Sequence, residues 1–340
     1  MQKYSFLDDY SEGCHPNILH ALSQSNMTQH IAYGNDEYSV KAKEIIRNKI
    51  ENPTAGIYFV SGGTQANLIV ISSILKSYEA VVSAEIGHIL VREAGAIEAT
   101  GHKVIPIKTA NGKLSPADIQ NTLDSHSAVP HMVKPKLVYI SNATEIGTIY
   151  LKHELEALHD FCKSNNMYLF LDGARLGSAL CCEKNDLTLK DLSQLTDVFY
   201  IGGTKNGALI GEAIVVNNAS LNSDFEFNIK QRGAMLSKSR LLGIQFLELF
   251  KSNLFYELAT QANKVAQKLS IGLEQKGYDL SAETQTNQIF VVLPNVLIEK
   301  LQENFDFYVW EKRDFDHSVV RLVTSWATDE TRVNAFLESI

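Results

Sequence analysis

The chain has 340 residues, 45% hydrophobic and 21% charged, with 20 glycines and 7 prolines. That composition excludes a collagen-like, low-complexity or largely disordered protein. Its 39 acidic and 31 basic residues leave a formal charge of −8. Neither sign is blocked into a tail, which argues against a general nucleic-acid or membrane-surface binder. A chain of this length outgrows a single core, so one large and one smaller domain are expected. The amino terminus shows no apolar leader, and no run approaches the roughly 18 apolar residues of a membrane span. Cysteines stand only at Cys14, Cys162, Cys181 and Cys182, without metal-finger spacing, and read as free thiols in a reducing compartment. A cytoplasmic setting is expected.

In chain order, Ile57-Tyr58-Phe59-Val60 reads as a buried strand. It is followed by the turn Ser61-Gly62-Gly63-Thr64 and an apolar helix from about Gln65 to Tyr78. Strands are expected at Ala80–Ser83, Lys103–Ile107 and Leu137–Ile140, with a proline-led, Ser115-capped helix start between the last two. Leu151, Leu155, Leu158 and Cys162 form one face of an amphipathic helix over about Leu151–Asn165. Further strands follow at Tyr168–Leu171, Val198–Ile201 and Ala213–Val216. Runs apolar on both faces and separated by helices indicate an α/β protein, a three-layer mostly parallel sheet with helices on both faces. After about Phe246 the pattern changes to a long helix (Leu254–Gln275) and strands at Gln288–Leu293 and Val319–Val323. The expected division is a large domain over residues 1–245 and a small α+β domain over 246–340.

Ligands of open α/β sheets sit outside the carboxyl ends of the strands. Four such ends carry polar residues: Ser61-Gly62-Gly63-Thr64, His88, Asp172 with Arg175, and Thr204-Lys205. Glycines and a hydroxyl entering a buried helix suit a phosphate. The turn lacks the three-glycine dinucleotide pattern, and Lys205 lies inside a loop whose Ala208-Leu209 replace the P-loop Lys-Ser/Thr. Asp172 ends an apolar strand, where a carboxylate is costly to bury without a partner; an internal pair with Arg175 is the purely structural alternative. Lys205 follows three small residues, where a desolvated amine becomes a nucleophile toward carbonyls; a solvated loop lysine is the alternative. His153, Glu154 and His159 lack the four-residue spacing of a helical zinc site, so no metal is expected.

A phosphate cradle, a histidine beside a ring, a buried acid and a carbonyl-reactive lysine together suit pyridoxal phosphate. The chain resembles the fold-type-I pyridoxal-phosphate enzymes, specifically the low-specificity threonine aldolases of the β-eliminating lyase group. The resemblance runs through Asp9-Tyr10-Ser11-Glu12-Gly13, Tyr33-Gly34-Asn35-Asp36, Ser61–Asn67, Glu85 with His88 and Glu93-Ala94-Gly95-Ala96. Its most specific stretches are Leu171–Leu176 and Gly202–Gly207. It implies that Lys205 holds the cofactor as a Schiff base, that Asp172 pairs with the ring nitrogen, and that His88 stacks on the ring and faces the substrate hydroxyl. It implies phosphate ligands at Gly63, Thr64 and Thr204. A carboxylate grip at Arg175 and Arg321 follows from it too, with His131 reaching a neighbouring active site. Two positions depart from the family pattern: Asp8 replaces a serine, and Leu236 replaces a phosphate-binding arginine for which Lys230 or Arg232 would compensate. The implied activity is aldol cleavage of threonine or allo-threonine to glycine and acetaldehyde by a homodimer or homotetramer. An aminotransferase, a β-eliminating lyase acting on another amino acid, and a non-catalytic cofactor-binding protein are the alternatives.

Overall fold

The computed structural model describes residues 3–340; Met1 and Gln2, at the start of the expected large domain, lie outside the described residues. Seven strands form the central sheet in the spatial order Gly56–Val60, Glu212–Val216, Val198–Gly202, Tyr168–Asp172, Lys134–Ser141, Glu79–Ala84 and Lys103–Ile107. All neighbours pair in parallel except at Glu212–Val216, which runs antiparallel to both of its neighbours. Pro106 lies in the edge strand, where a missing N–H is tolerated.

Alternate residues of these strands feed two separate cores, as the two-residue side-chain period requires. Leu169, Leu171, Phe199, Ile201, Ala213 and Val215 meet the helices Glu37–Lys49, Lys152–Ser164 and Arg240–Phe250 on one face. Phe170, Val198, Tyr200, Ile214 and Val216 meet Gly63–Ile74 and Phe225–Gln231 on the other. This is the three-layer α/β arrangement expected from apolar runs without alternation.

The helix expected over 65–78 covers Gly63–Ile74. Leu75 turns out of it into extended backbone, and the Glu79 carboxylate closes the turn by accepting the Lys76 N–H at 2.9 Å. Ser115 begins its helix through a reciprocal cap with Asp118, as the sequence pattern requires.

The C-terminal part is an antiparallel sheet ordered Tyr308–Lys312, His317–Val323, Gln288–Pro294. The helices Leu254–Gln275 and Glu330–Glu338 supply Val265, Leu269, Val333 and Phe336 to its core. Phe6 enters the same core, because Tyr4–Ser5 pairs in parallel with Phe305–Asp306. Tyr4–Ser5 and Phe6 are thus anchored in the last layer, and from there the chain runs to the sheet's carboxyl edge. Among the described residues no helix is long and apolar enough to cross a membrane.

Candidate active site

A cavity of about 290 Å³ opens at the carboxyl ends of the central strands and is lined by Gly63, Thr64, His88, Asp172, Arg175, Thr204 and Lys205. Seven of the nine residues anticipated from sequence therefore converge there from four segments; Arg321 and His131 do not line it.

Asp172 is 4% exposed, and its carboxylate accepts four hydrogen bonds. Oδ1 accepts from Tyr200 OH at 2.5 Å and Ala174 N at 3.0 Å, Oδ2 from Tyr139 OH at 2.6 Å and Asn67 Nδ2 at 3.0 Å. The internal pair with Arg175 is not formed. Arg175 instead grips Asp9, with Nε donating to Oδ2 at 2.7 Å and Nη2 to Oδ1 at 3.0 Å. Asn287 also donates to Asp9, at 2.9 Å. Burial works to raise the Asp9 pKa, but the charges of Arg175 and Lys205 outweigh it and hold the carboxyl below its ordinary range. Asp172 is left free to face the cavity with neutral donors around it.

Lys205 lies on the turn after Val198–Gly202. That turn passes so close to Gly173 and Ala174 that a side chain at Gly202 would strike their carbonyl oxygens. Burial and then the Arg175 charge lower the Lys205 pKa, which favours the amine form that attacks carbonyls. The Tyr10 ring stands over its Nζ, 5.9 Å from the ring centroid. Burial and then the adjacent Asp8 push the Tyr10 phenol up to about 12.

The helix Gly63–Ile74 begins with no side-chain cap. Its first internal bond is donated by Ala66 N to Gly62 O at 3.0 Å, so the N–H groups of Gly63, Thr64 and Gln65 are not used by the helix. Free donors at the positive end of a helix favour an anion. Thr204 accepts from Gly211 N through its hydroxyl at 2.9 Å.

His88 begins a short helix on the cavity wall. Its Nδ1 lies 2.8 Å from Oε1 of buried Glu93, and the same oxygen accepts from Asn67 Nδ2 at 2.7 Å. One amide group therefore joins the carboxylate behind His88 to Asp172. Glu93, Asn67, Tyr139 and Tyr200 carried no assigned role from sequence. Glu93 and Asn67 stood inside the quoted motifs, whereas the tyrosines sit in strands where an aromatic reads as core. With Nδ1 committed to Glu93, the ring presents Nε2 to other partners. Glu93→Ala is expected to lower turnover about 10²-fold, the low end of what a positioned base contributes. It should change KM little, and a steady-state comparison with Glu93→Gln checks it.

Arg321 projects from His317–Val323. Its Nε donates to Gln288 Oε1 at 3.2 Å, and its guanidinium stands 5.8 Å from the Tyr308 ring and 5.5 Å from the Trp310 ring. Burial, then Arg175, lowers its pKa to about 10. His131 is exposed in the loop ahead of Lys134–Ser141. Leu236 packs on the larger core. Lys230 lies over the Tyr33 ring at 4.7 Å, and Arg232 keeps a buried Nε without a hydrogen-bond partner among the described residues. None of these cations lines this chain's own cavity. The described residues contain no cluster able to hold a metal.

A buried lysine of lowered pKa, a carboxylate opposite it, an uncapped helix start and a histidine on the wall are the donors that pyridoxal phosphate requires. Together with the sheet they define a pyridoxal-phosphate enzyme of fold type I. Residues 8–295 match the family model described as Beta-eliminating lyase, and the chain belongs to that family. It is 32% identical to a low specificity L-threonine aldolase of Pseudomonas sp., covering 100% of this chain and 97% of that one. A second, from Pseudomonas aeruginosa, is also 32% identical, over 98% and 95% of the two chains. The solved structure of a threonine aldolase from Leishmania major superposes with a TM-score of 0.97 at 49% identity, covering 98% of each chain. An aspartate aminotransferase of Thermus thermophilus, 15% identical, shares the fold with a TM-score of 0.73 over 99% of this chain and 90% of its own.

Proposed function

We propose that the cavity cleaves threonine or allo-threonine to glycine and acetaldehyde with pyridoxal phosphate bound at Lys205. The observation that carries this reading is the placement of Lys205 and Asp172 in one cavity with His88 and the uncapped helix start. Pyridoxal phosphate, when bound, supplies a sink for the electron pair released as the Cα–Cβ bond breaks. Asp172 would hold the ring nitrogen protonated, and Gly63, Thr64 and Thr204 would hold the phosphate. Arg175 and Arg321 would orient the substrate carboxylate through charge-assisted hydrogen bonds. Asp9 occupies two Arg175 donors and fixes the plane of the guanidinium, leaving Nη1 for the substrate. His88 Nε2 would take the β-hydroxyl proton as acetaldehyde leaves, with Glu93 holding the ring in register.

The named threonine aldolases that this chain matches along nearly its whole length support the substrate. Incubation with threonine and assay of acetaldehyde and glycine tests it. Formation of a 2-oxo acid with no acetaldehyde would favour an aminotransferase or an eliminating lyase instead, and no turnover of any amino acid would favour a cofactor carrier.

The active unit is a homodimer or homotetramer in which a second copy supplies phosphate-binding charge. Among the described residues, only Arg175, Lys205 and His88 bring basic groups to the cavity wall. A helix start alone contributes about 0.3–1 kcal/mol toward an exposed anion. Lys230, Arg232 or His131 would complete the partner's site. Sedimentation should show at least a dimer, and mixing Lys205→Ala with Arg232→Ala protein should restore part of the activity; a fully active monomer would overturn this. The four free cysteines accord with a cytoplasmic setting.

A further inference from the structure

Glu212 is a cavity residue that the reading above does not use. It opens Glu212–Val216, the one reversed strand of the sheet, where its Cα stands opposite Gly202 on one side and Val60 on the other. The side chain is buried, 4% exposed, and lines the same cavity as Lys205 and Asp172. Its Oε2 accepts the Gly203 N–H at 2.9 Å, and the Thr204 hydroxyl lies against the same carboxyl. No cation comes within ion-pair distance of it among the described residues. Asp9 has Arg175 and Glu93 has His88 as ionic partners, Asp172 accepts four hydrogen bonds from neutral donors, and Glu145 accepts from the Ser141 hydroxyl and the His88 N–H.

A buried carboxyl with few donors and no ionic partner is costly as an anion, so burial favours its protonated form. The groups that act on it are Lys205 from its own turn and Asp172 from Tyr168–Asp172; Tyr200, from Val198–Gly202, is in turn raised by the Glu212 charge. Gly56–Val60 brings only Val60 opposite it. Burial raises the Glu212 pKa to about 7, and burial with Arg175 lowers that of Lys205, so the two approach each other from opposite sides.

We propose that Glu212 is a positioning residue for Lys205: buried in the same cavity beyond ion-pair distance, its carboxyl competes with the lysine amine for one proton. Ammonium with carboxylate and amine with acid contain the same proton and the same net charge. The cavity therefore switches between them without gaining or losing charge. The acid also leaves a dianionic phosphate at the neighbouring helix start free of a fixed like charge. When Glu212 ionises, its charge favours the protonated form of Lys205; the lysine thus keeps its proton to higher pH than it would beside a neutral amide. The inference rests on Lys205 being the cofactor lysine for its consequence in catalysis, while the competition for the proton is itself measurable without the cofactor.

Glu212→Gln keeps an oxygen for the Gly203 N–H and removes the titration. In the full-length protein stripped of cofactor, the rate of Lys205 acetylation by acetic anhydride, mapped by mass spectrometry, should rise at lower pH than in wild type. The expected shift is about one unit, a tenfold difference at fixed pH below the midpoint. The visible absorbance of the protein loaded with pyridoxal phosphate should shift its pH midpoint in the same direction. Glu212→Asp should move both profiles back toward wild type, which a purely structural role would not require. Should Gln prevent folding, Glu212→Ser removes the carboxyl and repeats the measurement. Unchanged Lys205 profiles in a folded variant without the carboxyl would overturn the proposal. Failure of borohydride to fix the cofactor to Lys205 would instead overturn the cofactor reading and leave the acetylation result standing.

Discussion

Lys205→Ala is expected to lower threonine cleavage by about 10³-fold or more, the scale at which a covalent and acid–base group is lost. The protein should stay folded, because no hydrogen bond of the lysine side chain is required by the turn that carries it. That turn is held by backbone bonds, Gly203 N to Gly211 O at 3.0 Å and Ala208 N to Gly203 O at 3.0 Å. Removing a buried, desolvated amine also relieves a cost of burial. The wild-type protein reduced with borohydride in the presence of pyridoxal phosphate should yield one labelled peptide containing Lys205, and the variant none. A label on another lysine, or a variant with near wild-type turnover, would remove Lys205 from the chemistry.

Asp172→Asn is the second large effect. All four hydrogen bonds to this carboxylate come from donors: two tyrosine hydroxyls, an amide side chain and a backbone N–H. An asparagine NH₂ would face two of them whichever way the amide turns. One tyrosine can rotate its hydroxyl to accept, so the cost is about 1–3 kcal/mol for one unsatisfied group rather than loss of the fold. Turnover should fall about 10²–10³-fold, the measured scale for removing one preorganised electrostatic group. Thermal denaturation followed beside steady-state kinetics separates the two effects. Arg175 is paired with Asp9, so this substitution does not strand a buried cation. Activity close to wild type would therefore mean that Asp172 is not the partner of the ring nitrogen.

The elements most legible in the amino-acid chain were those whose pattern leaves no local alternative. Lys103–Ile107 and Leu254–Gln275 are bounded by changes in periodicity and match the structure at both ends. The apolar strand ends also gave most of the cavity, since a polar residue closing such a run lies at the sheet's carboxyl edge. Direction within the sheet was not legible. Glu212–Val216 has the same apolar run as its neighbours, and nothing local records that it runs the other way. That reversal is what brings Glu212 beside Gly202, so an acid seven residues past Lys205 escaped notice. The Asp9–Arg175 pair was equally hidden. Its partners lie 166 residues apart, and the nearer acid, Asp172, was the natural candidate for Arg175. Tyr139 and Tyr200 show the same limit: their rings pack as core, and only the fold reveals that both hydroxyls end on one carboxylate.

The pairing of Tyr4–Ser5 with Phe305–Asp306 has a consequence for biosynthesis. The seven-stranded sheet is complete once Val216 has been made, but the strand that pairs with Tyr4–Ser5 is translated much later. Until then Phe6 lacks the core it enters, and Asp9 has no fixed route to Arg175. Contacts between residues this distant in sequence form late, because the entropy of closing the intervening chain must be met first. A nascent chain would thus carry a finished scaffold around a catalytic centre that its last third must still close, and a product truncated before Phe305 would retain Lys205, Asp172 and His88 while leaving Arg175 without its fixed counter-charge.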